Sequence, residues 1–135
     1  MFQDGEFTAS SIVAAMDESR RGGADIVSMS LGGASSSIIE RNKVNQFAKV
    51  GIALVAVSGN SGADANPEEY PASYDNVISV GAINDNEEVA KFSTHNLQVD
   101  ITAPGVNILS LSNICYDCYS YNSGTSMAVP HGSAW

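Results

Sequence analysis

A serine placed two residues after a glycine, at the mouth of a helix, can serve as an oxygen nucleophile. Residues 121–131 spell that arrangement: Tyr121-Asn122-Ser123-Gly124-Thr125-Ser126-Met127-Ala128-Val129-Pro130-His131. The pattern predicts a helix opening beside Ser126 with Pro130 inside its first turn, where a missing N–H is harmless because the first helical N–H groups have no intrahelical acceptor. The Ser126 hydroxyl is then exposed, and its own N–H points outward at the positive end of the helix dipole. Such a site presents a nucleophile and also steadies the negative charge that its attack creates on a carbonyl oxygen. The blander alternative is a capping serine on an ordinary helix, since serine is a favoured N-cap.

The elements that must position this serine read as alternating helices and strands. Ala9, Ile12, Val13 and Met16 fall at helical spacing, with Thr8 as N-cap and Gly22-Gly23 as the stop. Residues 25–31 read as a strand running into Gly32-Gly33. A serine-rich turn at Ser35-Ser36-Ser37 opens a second helix through Val44, Phe47 and Ala48, ended by Gly51. Residues 52–57, Ile-Ala-Leu-Val-Ala-Val, are almost wholly apolar, as befits a strand covered on both faces. A loop through Asp64, Asn66, Pro67, Glu68 and Glu69 leads to a third strand over residues 77–82. Residues 99–105 and 108–111 are strand-like, separated by Pro-Gly punctuation. The order predicts an α/β fold, a parallel sheet flanked by helices.

Composition excludes several functions. The chain has 135 residues, 44% apolar and 16% charged, which suits one folded domain at most and argues against disorder. A formal charge of −9 disfavours nucleic acid and anionic membrane surfaces as partners. No apolar run approaches a membrane span, and residues 1–6 do not read as a signal peptide. Cys115-x-x-Cys118 lacks the second pair that a structural zinc site needs, leaving a local disulfide or two free thiols.

The run Gly124-Thr125-Ser126-Met127-Ala128-Val129-Pro130-His131 resembles the nucleophile motif of the subtilases, the subtilisin-like serine proteases. The likeness is collinear over most of the chain. It takes in Ser30-Leu31-Gly32-Gly33, Gly59-Asn60, Tyr70-Pro71-Ala72, the segment 77–82, Phe92-Ser93 and the segment 100–105. The resemblance implies a partial subtilisin-like fold and a serine endopeptidase acting on polypeptide through an acyl-enzyme. It implies Ser126 as nucleophile, the Ser126 N–H and the Asn60 side chain as oxyanion donors, and Ser30, Leu31 and Gly32 as an edge that pairs with substrate backbone. It places Glu69 near the floor of the primary specificity pocket. There a carboxylate would favour lysine or arginine; the alternative is that Glu69 points to solvent. Carbonyls of Ala72, Tyr74 and Val77 with the Asp100 carboxylate correspond to a cation site of some subtilases, suited to calcium or sodium, while a turn beside a surface acid explains the same residues. No cofactor is implied for the chemistry. An extracellular or secretory location follows from the resemblance alone.

The departures matter as much. In the family the charge-relay aspartate and histidine precede the first segment matched here, and Asp25 matches a non-catalytic position. His131 belongs to the Pro-His pair after the nucleophile and reads as packed or capping, and His95 reads as solvent-exposed. The expectation is an incomplete catalytic domain, 1–135, lacking its N-terminal part and its C-terminal end and inactive until the missing half is supplied. A degenerate or truncated relative that at most binds peptide is the alternative. A nucleophile elbow of the α/β-hydrolase type is set aside, because no strand runs straight into Ser126 and only nine residues follow it.

Overall fold

The computed structural model describes residues 7–112 and 117–134. Helix α1 (Ala9–Arg21) begins in a reciprocal cap: the Thr8 hydroxyl accepts the Ser11 N–H at 3.2 Å, and the Ser11 hydroxyl accepts the Thr8 N–H at 2.9 Å. Arg20 and Arg21 occupy its last turn, where cations oppose the dipole, and Gly22 ends it. Strand β1 (Ile26–Met29) leads to α2 (Ile38–Lys49), whose inward face is Glu40, Val44 and Phe47. Strand β2 (Ala53–Val57), a short α3 (Gly62–Ala65) and β3 (Ile78–Ile83) follow. Then come β4 (Ile101–Pro104), β5 (Ile108–Leu111), β6 (Tyr119–Asn122) and α4 (Thr125–Ser133).

The first four strands form one parallel sheet in the order β1-β2-β3-β4, and β5 pairs with β6 in a separate antiparallel ribbon. The apolar run of β2 follows from burial on both faces. Leu54 and Ala56 join Ile12, Met16, Val44 and Phe47 on the side of α1 and α2. Val55 and Val57 join Val80, Ala82, Ala128 and Val129 on the side of α4. Phe47 is wholly buried in the first cluster, a position where truncation to alanine typically costs about 3–5 kcal/mol.

Four sequence expectations need correction. Strand β1 ends at Met29, so Ser30, Leu31 and Gly32 run on beyond it to Gly33, which exchanges backbone hydrogen bonds with Tyr70 at 2.9 and 2.8 Å. The loop after Asn60 contains α3, too short to show apolar periodicity. Residues 119–122 form a strand, because β5 offers them an antiparallel partner. Pro130 is the sixth residue of α4, so its missing N–H falls on a carbonyl within the helix rather than among the free first-turn donors.

Candidate active site

Ser126, Asn60 and Ser30 converge beyond the carboxyl ends of β1 and β2, the end of a parallel sheet where α/β proteins bind ligands. Ser126 is the second residue of α4, so its N–H has no intrahelical acceptor and is free to donate. The start of α4 is set down close to the sheet. The Gly124 N–H donates to the Gly105 carbonyl at 2.8 Å, and a Cβ at Gly105 would lie 2.6 Å from the Ala82 Cβ and 2.8 Å from the Gly124 oxygen. Only a glycine at 105 permits that approach.

Asn60 follows β2 and is held by α4 itself. Its Oδ1 accepts the Thr125 N–H at 2.9 Å and the Thr125 hydroxyl at 3.1 Å. Two donors on one oxygen fix the orientation of the amide and leave its Nδ2 outside these bonds, and Asn60 and Ser126 line one cavity. The loop carrying Asn60 is pinned from below. The Ser58 hydroxyl donates to the Thr94 carbonyl at 2.9 Å, the Thr94 N–H to the Gly59 carbonyl at 3.0 Å, and the Ser61 N–H to the Thr94 hydroxyl at 3.3 Å. Thr94 is fully buried. Sequence reading passed over Thr94, which lies beside the segment Phe92-Ser93, and took Thr125 only as part of the Gly124–Ser126 motif, without its contact to Asn60.

The shared cavity, of about 360 Å³, is lined by Phe7, Ser30, Leu31, Gly32, Val57, Gly59, Asn60, Glu69 and Ser126. It brings together the nucleophile candidate, the oxyanion candidate, the substrate-edge candidates and Glu69. Adjacent acids diverge here. Glu68 accepts the Tyr70 hydroxyl at 2.8 Å, a contact that raises the Tyr70 pKa, while Glu69 turns into the cavity and accepts the Ser61 hydroxyl at 3.3 Å. Gly59, at φ +109°, makes room for it: a Cβ there would stand 2.1 Å from Glu69 Oε1. Ser30 donates its hydroxyl to the Ser126 carbonyl at 3.0 Å, a contact no sequence signal announces.

The remaining candidates lie elsewhere. His131 Nδ1 lies 2.9 Å from the Met127 carbonyl and His95 Nδ1 lies 3.1 Å from the Ser93 carbonyl, so neither ring is directed at Ser126 through these bonds. Asp25 is exposed at the approach to β1. Ala72, Tyr74 and Val77 are buried in and around a turn in which the Val77 N–H donates to the Tyr74 carbonyl at 3.0 Å. Asp100 Oδ2 accepts the Ser79 N–H at 2.8 Å, two residues beyond that turn. These are hard oxygen donors of the kind calcium and sodium take, and the Asp100 Oδ1 and the second lone pair of the Tyr74 carbonyl are not taken up by these bonds. Cys118 is disulfide-bonded, whereas Cys115 lies outside the described residues.

A second cavity of about 360 Å³ adjoins the first across Phe7 and reaches Glu40. Burial raises the Glu40 pKa, with the Tyr74 hydroxyl at 2.9 Å opposing the shift. No described helix is long and apolar enough to cross a membrane.

Known proteins resemble this chain over most of its length. A sequence model of the subtilase family matches residues 1–135. The minor extracellular protease Epr of Bacillus subtilis (strain 168) is 42% identical over 132 residues, covering 98% of this chain and 20% of that protein. The major intracellular serine protease of the same organism is 43% identical over 112 residues, covering 81% of this chain and 34% of that one. Among solved structures, the prenylagaramide maturation protease PagA superposes with a TM-score of 0.86 at 25% identity, covering 95% of this chain and 47% of that one. The chain thus spans less than half the length of each.

Proposed function

Because this chain belongs to the subtilase family, we propose that it carries the nucleophile and oxyanion side of a serine endopeptidase that hydrolyses peptide bonds through an acyl-enzyme on Ser126. The observation that carries the reading is the Thr125 clamp on Asn60 Oδ1, which commits the amide nitrogen to donating beside Ser126. Ser126 Oγ attacks the scissile carbonyl carbon, and the developing oxyanion is met by the Ser126 N–H and Asn60 Nδ2. The tetrahedral species collapses, the amine leaves with a proton, and water later releases the acyl group by the same route. In a subtilisin, a member of this family, loss of the asparagine donor costs about 10²–10³ in turnover; that magnitude is taken from that enzyme.

Attack requires a base to take the hydroxyl proton. The two histidines of this chain hydrogen-bond elsewhere, so the base and its aspartate are supplied by the N-terminal half of the same catalytic domain. The apolar groove along the outer edge of β1, lined by Ile12, Met16, Val27, Met29 and Leu31, offers that half a place to continue the sheet. Without it the chain is inactive and at most binds peptide. Polypeptide substrate pairs with the backbone of Ser30, Leu31 and Gly32, and Glu69 in the cavity selects a lysine or arginine before the scissile bond. A structural calcium or sodium ion at Ala72, Tyr74, Val77 and Asp100 would brace the turn under Tyr70 without entering the chemistry. The disulfide at Cys118 supports an extracellular or secretory location, since such bonds persist in oxidising compartments.

The test is to co-express the chain with an N-terminal segment carrying the family's aspartate and histidine and to assay peptide hydrolysis. Activity that appears on complementation and vanishes in Ser126→Ala supports the proposal. Activity that survives Ser126→Ala refutes it.

A further inference from the structure

In an α-helix the carbonyl of residue i accepts the N–H of residue i+4. For Ser126, within α4, that residue is Pro130, which has no N–H to give. The carbonyl of the very residue that must hold its hydroxyl in register therefore lacks its helical donor. It finds a substitute 96 residues away in sequence: the Ser30 hydroxyl donates to it at 3.0 Å. Side chains also bond two other carbonyls of α4, but from within the helix. His131 Nδ1 lies 2.9 Å from the Met127 carbonyl and Ser133 Oγ lies 2.9 Å from that of Val129.

We infer that Ser30 is a positioning residue for Ser126, its side chain replacing the backbone donor that Pro130 removes. The inference rests on Ser126 being the nucleophile. The peptide plane that Ser30 grips begins at the Ser126 Cα, so the grip fixes the backbone torsion that aims Oγ and N–H together. Ser30 does this with its hydroxyl, while its backbone remains on the edge proposed to receive substrate. Substrate pairing and nucleophile orientation thus meet in one residue.

A double-mutant cycle tests this in the complemented catalytic domain. Ser30→Ala should lower kcat by about tenfold, which corresponds to about 1.4 kcal/mol, with KM little changed. Ser30→Thr keeps a hydroxyl and should stay within about threefold of the parent. Pro130→Ala restores the N–H, so in the Ser30→Ala background it should recover most of the loss, a rescue that a merely structural role for Ser30 does not provide. A rise in KM at constant kcat, or equal losses from Ser30→Ala with proline or alanine at 130, would overturn the inference. A second readout is independent of activity: the Ser126 carbonyl ¹³C resonance should move upfield in Ser30→Ala and return in the double variant. If the complemented parent hydrolyses nothing, the proposed function fails; the resonance then decides the Ser30 contact by itself, and an unmoved resonance sinks it.

Discussion

Replacing Gly59 by alanine should cost stability for two reasons that can be separated, and the separation reports where Glu69 points. The first is local: φ at residue 59 is +109°, a conformation that side-chain-bearing residues adopt only under strain of about 1–3 kcal/mol. The second is a collision, since the new Cβ would sit 2.1 Å from Glu69 Oε1 and 2.4 Å from its carboxyl carbon. A flexible carboxylate yields to that, but in leaving it gives up the Ser61 hydroxyl at 3.3 Å, a bond worth about 0.5–1.5 kcal/mol. Together the two effects predict about 1.5–4.5 kcal/mol lost for Gly59→Ala. In a Glu69→Ala background only the backbone strain remains, so the same substitution should cost about 0.5–1.5 kcal/mol less. Urea unfolding of the four proteins of the cycle, in the complemented domain, measures both numbers. Equal costs in the two backgrounds, within about 0.3–0.5 kcal/mol, would show that Glu69 does not lie against Gly59 and would remove it from the cavity floor.

Other consequences are equally open to measurement. Glu69→Gln should erase a preference for cleavage after Lys over Leu in the complemented enzyme; an unchanged ratio places the carboxylate outside the pocket. Burial raises the Glu40 pKa above its ordinary 4.5, so the folded state favours the protonated carboxyl. That contribution is fully present below the unfolded-state value and is lost as pH rises through the folded one. The melting temperature of Glu40→Gln relative to the parent should therefore climb with pH across this interval, and a difference independent of pH contradicts the assignment. Calcium at millimolar level should raise the melting temperature of the parent but not of Asp100→Ala; equal shifts in both would refute the proposed cation site.

Much of this architecture was legible in the sequence where the controlling interactions are local or periodic. Thr8 capping α1 and the doubly covered run of β2 are of that kind, one decided within a single turn and the other by burial on two faces. The strand at Tyr119–Asn122 was not, because its partner β5 is separate in sequence and three of its four residues face solvent. Pro130 was misread as a first-turn residue although it stands four residues after Ser126, where its missing N–H leaves a helical carbonyl without a donor, and the Ser30 contact to that carbonyl spans 96 residues of sequence. Ser126 stood out through its place two residues after a glycine at a helix mouth, and Asn60 through the family resemblance. The Thr125 clamp that orients Asn60 spans 65 residues of sequence and exists only in the folded chain. The direction of Glu69 likewise depends on a space left by Gly59, ten residues earlier.

We propose Ser126 as a nucleophile whose oxyanion hole forms within this chain and whose base comes from the N-terminal half of the domain. A fluorophosphonate probe, followed by intact mass and peptide mapping, tests it most directly. On the chain alone, labelling should be slow. On complementation with the N-terminal half it should accelerate by orders of magnitude, reach one probe per chain and map to Ser126. Rapid labelling of the chain alone, or labelling of the complemented protein at any residue other than Ser126, would contradict the account.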